Sequence, residues 1–187
     1  MKKKPTDKQK DALWQQRRAG NFLASFELGG ATLGPGVRPP GLPFLRQLHR
    51  DLFHDVLDDA GELRRVDVMV GDTPCCHFEY IEKEGNALMQ ALEDENALAD
   101  LPLDDFVARL AWYYCELTVL HPFQRGNGRA QRLFVEHLVF NAGYDIRWER
   151  IDSESWKAAN QASWDGDLDP LVAAFASVVS ERDESAG

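Results

Sequence analysis

The sequence predicts an all-α fold, a helical bundle with one small β-hairpin. Apolar residues recur at helical spacing in several segments of the 187-residue chain, and proline or glycine stands at most of their borders. Only the stretch around Val66, Val68 and Val70 alternates apolar and polar side chains, as a strand does. A hydrophobic content of 44% can supply a packed core, and the length suits a single domain over residues 1–187.

The N-terminal part, residues 1–43, is predicted to hold one helix and a connection. The helix is expected to run from Asp7 to Leu28. Glycines over residues 29–36 break it, and the prolines that follow extend the break. We interpret this stretch as a connection inside the domain, because little chain precedes it.

The core, residues 44–145, is predicted to contain four helices and the hairpin. Pro43 opens the first helix, which is expected to run to about Asp59 and to be ended by Gly61. His49 and His54 are interpreted as ordinary residues of this helix. The other elements follow in order: a hairpin turn at Gly71–Pro74 and helices over Ile81–Leu98, from Pro102 to about Leu120, and from about Gly128 to Asn141.

The C-terminal part, residues 146–187, is predicted to add two helices, near Ser153–Gln161 and Pro170–Ser180. No run of 18 apolar residues occurs, so nothing is expected to span a membrane. The basic start Met1–Lys4 has no apolar stretch behind it, which argues against a signal peptide. The expected location is the cytoplasm.

Charge and cysteine content exclude several classes of function. Lys and Arg number 21 against 31 Asp and Glu, so the formal net charge is −10. Direct nucleic-acid binding is therefore not expected, because phosphates dominate such affinity. The chain has three cysteines, Cys75, Cys76 and Cys115. An odd number does not suit a disulfide framework, and their spacing is not that of a zinc site. Cys75 and Cys76 are expected to serve as small apolar packing groups.

Residues 121–132 read His-Pro-Phe-Gln-Arg-Gly-Asn-Gly-Arg-Ala-Gln-Arg and concentrate groups that carry chemistry. Pro122 blocks the continuation of the preceding helix. Gly126 and Gly128 let the backbone turn and approach a ligand closely. A new helix beginning there would point its unsatisfied N–H groups and positive dipole end at the loop, which is a ready anion site.

The side chains of this stretch suit phosphate chemistry. Arg129 and Arg132 lie three residues apart on neighbouring parts of one helical face and can bind phosphate oxygens. Asn127 can cap the helix or donate its amide to a phosphate. His121, with an ordinary pKa near 6.5, can accept a proton at neutral pH. A structural corner with surface arginines is the alternative, but the combination favours a functional site.

This stretch resembles the signature of Fic-domain proteins, His-Pro-Phe-x-Asp/Glu-Gly-Asn-Gly-Arg-x-x-Arg. The one departure is Arg125, which stands at the acidic position. Ala60–Arg64 is similar to the family's Ala-Gly-x-x-Arg segment, and Val70–His77 is similar in place to the family's flap hairpin. The text from Gly71 to Leu88 resembles the compact bacterial Fic toxins.

The resemblance implies a Fic-type helical bundle and a protein adenylyltransferase, which moves AMP from ATP to a hydroxyl of a target protein. His121 would be the catalytic base, and Phe123 would anchor the loop in the core. The ATP-binding residues would be Gly126, Asn127, Gly128, Arg129 and Arg132.

The family usually holds one Mg²⁺ through the acid that Arg125 replaces here, so the resemblance implies Mg²⁺ with ATP but no protein ligand at this position. The flap would bind the target's peptide by strand addition. Its residues would be Val70, Gly71, Asp72, Thr73, Pro74 and Cys75.

The resemblance to compact toxins also implies partners. Their described targets are subunits of DNA gyrase and topoisomerase IV. Self-inhibited Fic proteins carry a Ser/Thr-x-x-x-Glu-Gly/Asn helix, and this chain has no full match. A separate small antitoxin is therefore expected to place a Glu on Arg132. Arg125 leaves two alternatives open: a catalytically impaired nucleotide- or protein-binding Fic module, and a Fic enzyme that uses another donor.

Overall fold

A computed structural model of the chain describes Thr6 and residues 41–182. The helix expected over Asp7–Leu28 and most of the connection after it lie outside these residues. Within the described part, six α-helices and two short antiparallel strand pairs form an all-α fold, as predicted. In chain order they are α1 Leu42–Phe53, β1 Met69–Val70, β2 Thr73–Pro74, α2 Ile81–Asp94, α3 Leu103–Leu120, α4 Asn127–Asn141, β3 Tyr144–Ile146, α5 Ser153–Trp164, α6 Asp169–Val178 and β4 Val179–Glu181.

Helix α3 is the central helix of the core, and α2, α4, α5 and α6 all pack against it. Pro102 precedes it, and Asp104 and Asp105 in its first turn favour the positive end of its dipole. Half of its side chains are buried, among them Phe106, Leu110 and Tyr113. The last turn of α3 is therefore held rigidly, and the 121–132 stretch begins there.

Helix α1 is shorter than predicted, because it ends at Phe53 instead of continuing to Asp59. The chain then folds back on α1 through tight turns, so that the Gly61 N–H donates to His49 Nδ1 at 2.8 Å. A helix running to Asp59 would carry Gly61 away from His49 at about 1.5 Å per residue. The predicted helix end was wrong because a tertiary hydrogen bond overrides the apolar spacing.

Helix α2 also ends early, at Asp94, whereas the sequence predicted Leu98. Asn96, Ala97 and Leu98 have φ of 55°, 52° and 62°, so the backbone leaves the right-handed helix there. This turn buries Leu98 completely, and Glu95 binds Arg109 on α3. Anchoring to α3 therefore takes the place of the last predicted helical turn.

The predicted hairpin is confirmed, with β1 antiparallel to β2 and Val70 paired with Thr73. The turn predicted over Gly71–Pro74 is shorter, because Thr73 and Pro74 pair with β1 and form β2. A second pair, β3 with β4, was not predicted, so the expectation of one hairpin is corrected to two strand pairs. β4 occupies residues that were assigned to the end of the last helix. Strands of three residues are too short to show a period in the sequence.

The remaining helices agree with the sequence within a few residues. Helix α4 begins at Asn127 and ends at Asn141, and α5 and α6 lie where two late helices were expected. In Thr6 and residues 41–182, no helix combines the length and apolar character needed to cross a bilayer.

Candidate active site

His121 lies immediately after the last turn of α3. Its backbone is left-handed, with φ 43° and ψ 60°, and its N–H donates to the Leu117 carbonyl at 3.1 Å. Pro122 follows and cannot continue the helix, because it has no N–H. The left-handed residue turns the chain out of the helix and leaves the imidazole on the wall of a cavity.

The protonation state of His121 follows from its surroundings. Burial lowers its pKa below the ordinary value of 6.5. The Thr118 carbonyl opposes this effect, whereas the positive charge of Arg64 lowers the pKa further. The imidazole is therefore neutral at pH 7, which is the form that can accept a proton.

The loop after His121 is closed by its own residues. Gly126 has φ 83°, and a Cβ on it would lie 2.5 Å from Phe53 Cε2, so only glycine fits there. Asn127 is 3% exposed, and its side chain donates to the Phe123 carbonyl at 2.7 Å and accepts from the Phe123 N–H at 2.9 Å. Phe123 is buried at 1% exposure, which confirms its predicted place in the core.

Asn127 does not cap α4 as one of the two expectations proposed. The N-cap residue is Gly126, without a side-chain hydrogen bond, and Asn127 is the first residue of the helix. Its side-chain oxygen and nitrogen both bind the backbone of Phe123. The side chain of Asn127 therefore braces the loop.

His49 supports the same loop from α1 and was missed by the sequence analysis, which treated it as an ordinary helix residue. Its Nδ1 accepts from the Gly61 N–H, so in the neutral ring Nε2 carries the proton and donates to the Arg125 carbonyl at 2.8 Å. The ring is 1% exposed and stacks on Phe123, with centroids 3.8 Å apart. Burial lowers the pKa of His49, although the Arg125 carbonyl and Asp59 favour its protonated form.

A cavity of about 330 Å³ opens between the end of α3 and the start of α4. It brings together His121 and every residue predicted to bind ATP. It is lined by Phe53, His121, Arg125, Gly126, Asn127, Gly128, Arg129 and Arg132. Three arginines and a helix N-terminus thus line one space, a combination whose chemistry suits a polyphosphate.

The cavity does not fit a metal held by the protein. No carboxylate stands among the described residues of its lining, and Arg125 occupies the position where the signature has an acid. Across Thr6 and residues 41–182, no cluster of His, Cys, Asp or Glu could hold a metal ion. No step of the chemistry below is therefore assigned to a protein-bound metal.

Glu136 lies one turn after Arg132 in α4 and is the partner of Trp148 Nε1 at 2.9 Å. Burial raises the pKa of Glu136 to about 7, against the Trp148 hydrogen bond and the charge of Arg132. The carboxyl is thus about half protonated near neutral pH and only partly offsets the positive charge of the arginine.

The flap stands apart from the cavity, since none of the predicted flap residues lines it. Met69 and Val70 on β1 are exposed, and the hairpin is joined to α3 where the Cys76 N–H donates to the Val119 carbonyl at 2.9 Å. Cys75 and Cys76 are only partly buried, so the expected packing role holds in part.

Comparison with known proteins gives two family matches, the Fic/DOC family over residues 41–139 and YhfG over residues 3–48. The chain is similar to the "Probable protein adenylyltransferase Fic" of Escherichia coli K12, with 57% identity over 173 residues, covering 91% of this chain and 86% of that protein. The protein of the same name from Salmonella typhimurium LT2 is 55% identical over 153 residues, covering 82% and 76%.

The fold is also similar to that of solved structures. The N-terminal Fic domain of a VirB-translocated Bep effector protein from Bartonella quintana, solved with bound ADP, is 26% identical and superposes with a TM-score of 0.78. The match covers 92% of this chain and 87% of that one.

Proposed function

This chain belongs to the Fic/DOC family and is a protein adenylyltransferase, and we propose that His121 is the base with which it transfers AMP from ATP. One observation carries the assignment of residues. A histidine held neutral by burial shares a cavity with Arg129 and Arg132 and with the N-terminus of α4.

The reaction can be written with these residues. The hydroxyl oxygen of the target forms a bond to the α-phosphorus of ATP while the bond from that phosphorus to the bridging oxygen breaks. Pyrophosphate leaves, and the hydroxyl proton passes to the neutral imidazole of His121. Arg129, Arg132 and the N–H groups at the start of α4 stabilise the charge that develops on the phosphates.

Phosphate binding rests on backbone as much as on side chains. The first-turn N–H groups of Asn127 and Gly128 have no carbonyl one turn back within α4 to accept them. Apart from its chain neighbours and its own helix, no atom of the described residues would lie within 4 Å of a Cβ on Gly128, so the glycine leaves room above the helix start. Arg125 adds positive charge at the rim and gives Mg²⁺ no ligand, so any Mg²⁺ would be held by ATP oxygens and water.

The target's hydroxyl is presented by the flap. Val70 and Thr73 form the hydrogen-bonded pair next to the turn, so their N–H groups point towards each other's strand. Along a strand the N–H groups alternate in direction, so the N–H of Met69 points away from β2. Its partner Pro74 has no N–H, so β2 lacks a donor at this level of the hairpin. A strand of the target can therefore pair along β1, with side chains at a fixed register.

The target and regulator follow from the resemblance to compact Fic toxins. Subunits of DNA gyrase or topoisomerase IV are the proposed substrates. A small antitoxin would place a Glu on Arg132, which lines the cavity, and compete there with a phosphate of ATP. Toxicity on expression, relieved by the protein encoded beside this one, is the expected cellular behaviour, whereas a fully active enzyme that is harmless without a partner would contradict it.

ATP labelled at the α- or γ-phosphate tests the proposed function. Wild type, incubated with gyrase and topoisomerase IV subunits, should transfer the α-label and not the γ-label. His121→Ala should lower transfer by about 10²–10⁴-fold while keeping nucleotide affinity and fold, because only the base is lost. Equal labelling by the variant and wild type would refute the role of His121.

Arg125 favours a second candidate, a catalytically impaired binding module. The cavity would then hold a nucleotide without transfer, because the charge at the metal position is reversed. The same experiment separates the two. Nucleotide binding without any α-label transfer, in Mg²⁺ or Mn²⁺, would support the binding module.

A further inference from the structure

Arg64 is a buried cation whose hydrogen-bond partners among the described residues are all backbone oxygen atoms. Its side chain has 0% exposure. Its Nε donates to the His121 carbonyl at 2.8 Å, and Nη1 donates to the Val66 carbonyl at 2.7 Å. Its Nη2 donates to the Cys76 carbonyl and, more weakly, to the Leu120 carbonyl at 3.4 Å. One guanidinium thus binds four carbonyls from three parts of the chain.

These four carbonyls belong to two functional places. Leu120 and His121 close the last turn of α3 and carry the proposed base. Val66 and Cys76 lie at the foot of the two legs of the flap hairpin, on either side of β1 and β2. The backbone of Arg64 also binds the loop after α3, because its N–H donates to the Pro122 carbonyl at 2.9 Å.

The charge of Arg64 suits this position and is hard to replace. The carbonyls at the end of α3 are the negative end of the helix dipole, and Asp67 Oδ1 lies 3.8 Å from Nη1. Guanidinium offers five N–H donors in a planar fork, whereas an ammonium offers three from one point. Lysine could therefore serve some of these carbonyls but not both places in the same geometry.

We propose that Arg64 is a positioning residue that fixes the flap at a set distance from His121, and so determines where the target's hydroxyl meets the base. This inference rests on the proposed function of His121 and the flap. Arg64 is not among the residues that line the cavity, so it acts on the acceptor side of the reaction and not on ATP.

The size of the expected effect follows from the sensitivity of group transfer to distance. A displacement of about 1 Å between reacting groups can cost about 10²-fold in rate. Without the guanidinium, the described bonds that still join residues 64–76 to the end of α3 and its loop are two backbone bonds, from the Cys76 N–H to the Val119 carbonyl and from the Arg64 N–H to the Pro122 carbonyl. The flap should then move relative to α3 while the start of α4 stays in place.

The test compares Arg64→Met and Arg64→Lys with wild type. Arg46→Lys is the matched control, because Arg46 Nε donates to the Gly61 carbonyl in the same segment but reaches neither His121 nor the flap. Three quantities are measured: kcat/KM for α-label transfer to the target, the Kd of a fluorescent ATP analogue, and amide hydrogen exchange over residues 66–77.

Arg64→Met should lower kcat/KM for transfer by about 10²-fold, leave the Kd for the analogue unchanged, and speed exchange in residues 66–77 above the rest of the chain. Arg64→Lys should lie between it and wild type, and Arg46→Lys should match wild type in all three. If Arg64→Met does not fold, Arg64→Lys decides the outcome by the same measurements.

Two results would overturn the inference. The first is unchanged transfer in the Arg64 variants. The second is a loss of nucleotide affinity together with hydrogen exchange that rises evenly along the chain, because a residue with a purely structural role would have this effect. Hydrogen exchange needs no activity. If wild type transfers no label, the proposed function fails, and exchange in the flap still reports on Arg64.

Discussion

At the scale of single residues, the loop at residues 121–132 depends on contacts that its own sequence does not contain. His49 holds the Arg125 carbonyl from α1, and Phe53 leaves space for a glycine but for no larger residue at 126. Asn127 and Phe123 close the loop from within. The loop backbone is therefore fixed before ATP arrives, which lowers the cost of organising the site on binding.

Arg125→Glu should raise the rate of α-label transfer and make it depend more steeply on Mg²⁺. A carboxylate at this position can ligate a metal that stabilises transition-state charge, and about 1.4 kcal/mol of that stabilisation is a tenfold rate increase. Transfer rates are measured across a Mg²⁺ titration, with Arg125→Gln as the control that removes the charge without adding a ligand. A slower Arg125→Glu enzyme with the wild-type metal response would mean that Arg125 itself assists transfer.

At the scale of elements, the start of α4 and the flap each have one residue that the fold needs and, close by, another that is available to a ligand. At the helix start, Gly126 is required by the protein's own packing, while a Cβ added to Gly128 would meet none of the described residues outside its own helix within 4 Å. In the flap, the N–H of Val70 bonds within the hairpin, whereas the N–H of Met69 points away from β2. Substitutions at the paired positions should therefore separate folding from ligand binding.

Gly128→Ala should weaken ATP binding without loss of stability. The added Cβ points into open space, so the free energy of unfolding should stay constant or rise by up to about 1 kcal/mol from helix propensity. The same Cβ would stand where phosphates approach the helix start. Calorimetry of ATP binding and denaturant unfolding check the two parts, and Gly126→Ala should instead lose stability through its 2.5 Å contact with Phe53. Unchanged ATP affinity in Gly128→Ala would place the phosphates elsewhere.

Met69→Pro should lower target labelling by about 3–10-fold and leave ATP affinity unchanged, because it removes one outward hydrogen-bond donor from β1. Met69→Ala is the control, since it removes the exposed side chain but keeps the N–H. Labelling rates at subsaturating target provide the measurement. If the proline and alanine variants label equally well, the target does not pair along this edge of the hairpin.

At the scale of the whole molecule, buried histidines make stability depend on pH. His49, His121 and His137 all have a pKa lowered by burial. The unfolded chain takes up these protons near pH 6.5, whereas the folded chain does so only at lower pH. Folding stability from these groups is therefore complete above about pH 6.5 and is lost as the pH falls towards the folded pKa.

His49→Gln should lose less stability than wild type when the pH falls from 7.5 to 5.5. Glutamine can keep one donor and one acceptor between Gly61 and Arg125 but cannot gain a proton. The two free energies of unfolding should diverge below pH 6.5, by at most about 1.4 kcal/mol per pH unit. Glu136 contributes to the pH dependence of stability with the opposite sign, and this contribution cancels because both proteins contain it. The variant His54→Gln, at an exposed position, is the control for removing one imidazole. Parallel curves would show that His49 does not titrate as proposed.

The sequence alone was enough to predict the helical class, the hairpin, the order of the main helices and most of the residues that line the cavity. Helical spacing and the prolines at the starts of α1 and α3 are local signals, because neighbouring residues alone establish them. The residues from His121 to Arg132 are contiguous, so one helix end and one helix start were enough to bring them together.

The contacts that hold the cavity together, and its position relative to the flap, could be read only from the folded chain. The early ends of α1 and α2, the pairing of β3 with β4, and the contacts of His49 and Arg64 all join residues that are distant in sequence. His49 reaches across 76 positions and Arg64 across 57, to backbone atoms whose positions carry no sequence signature. Every residue has the same backbone carbonyl, so the contacts that His49 and Arg64 make with carbonyls can be identified only in the folded chain.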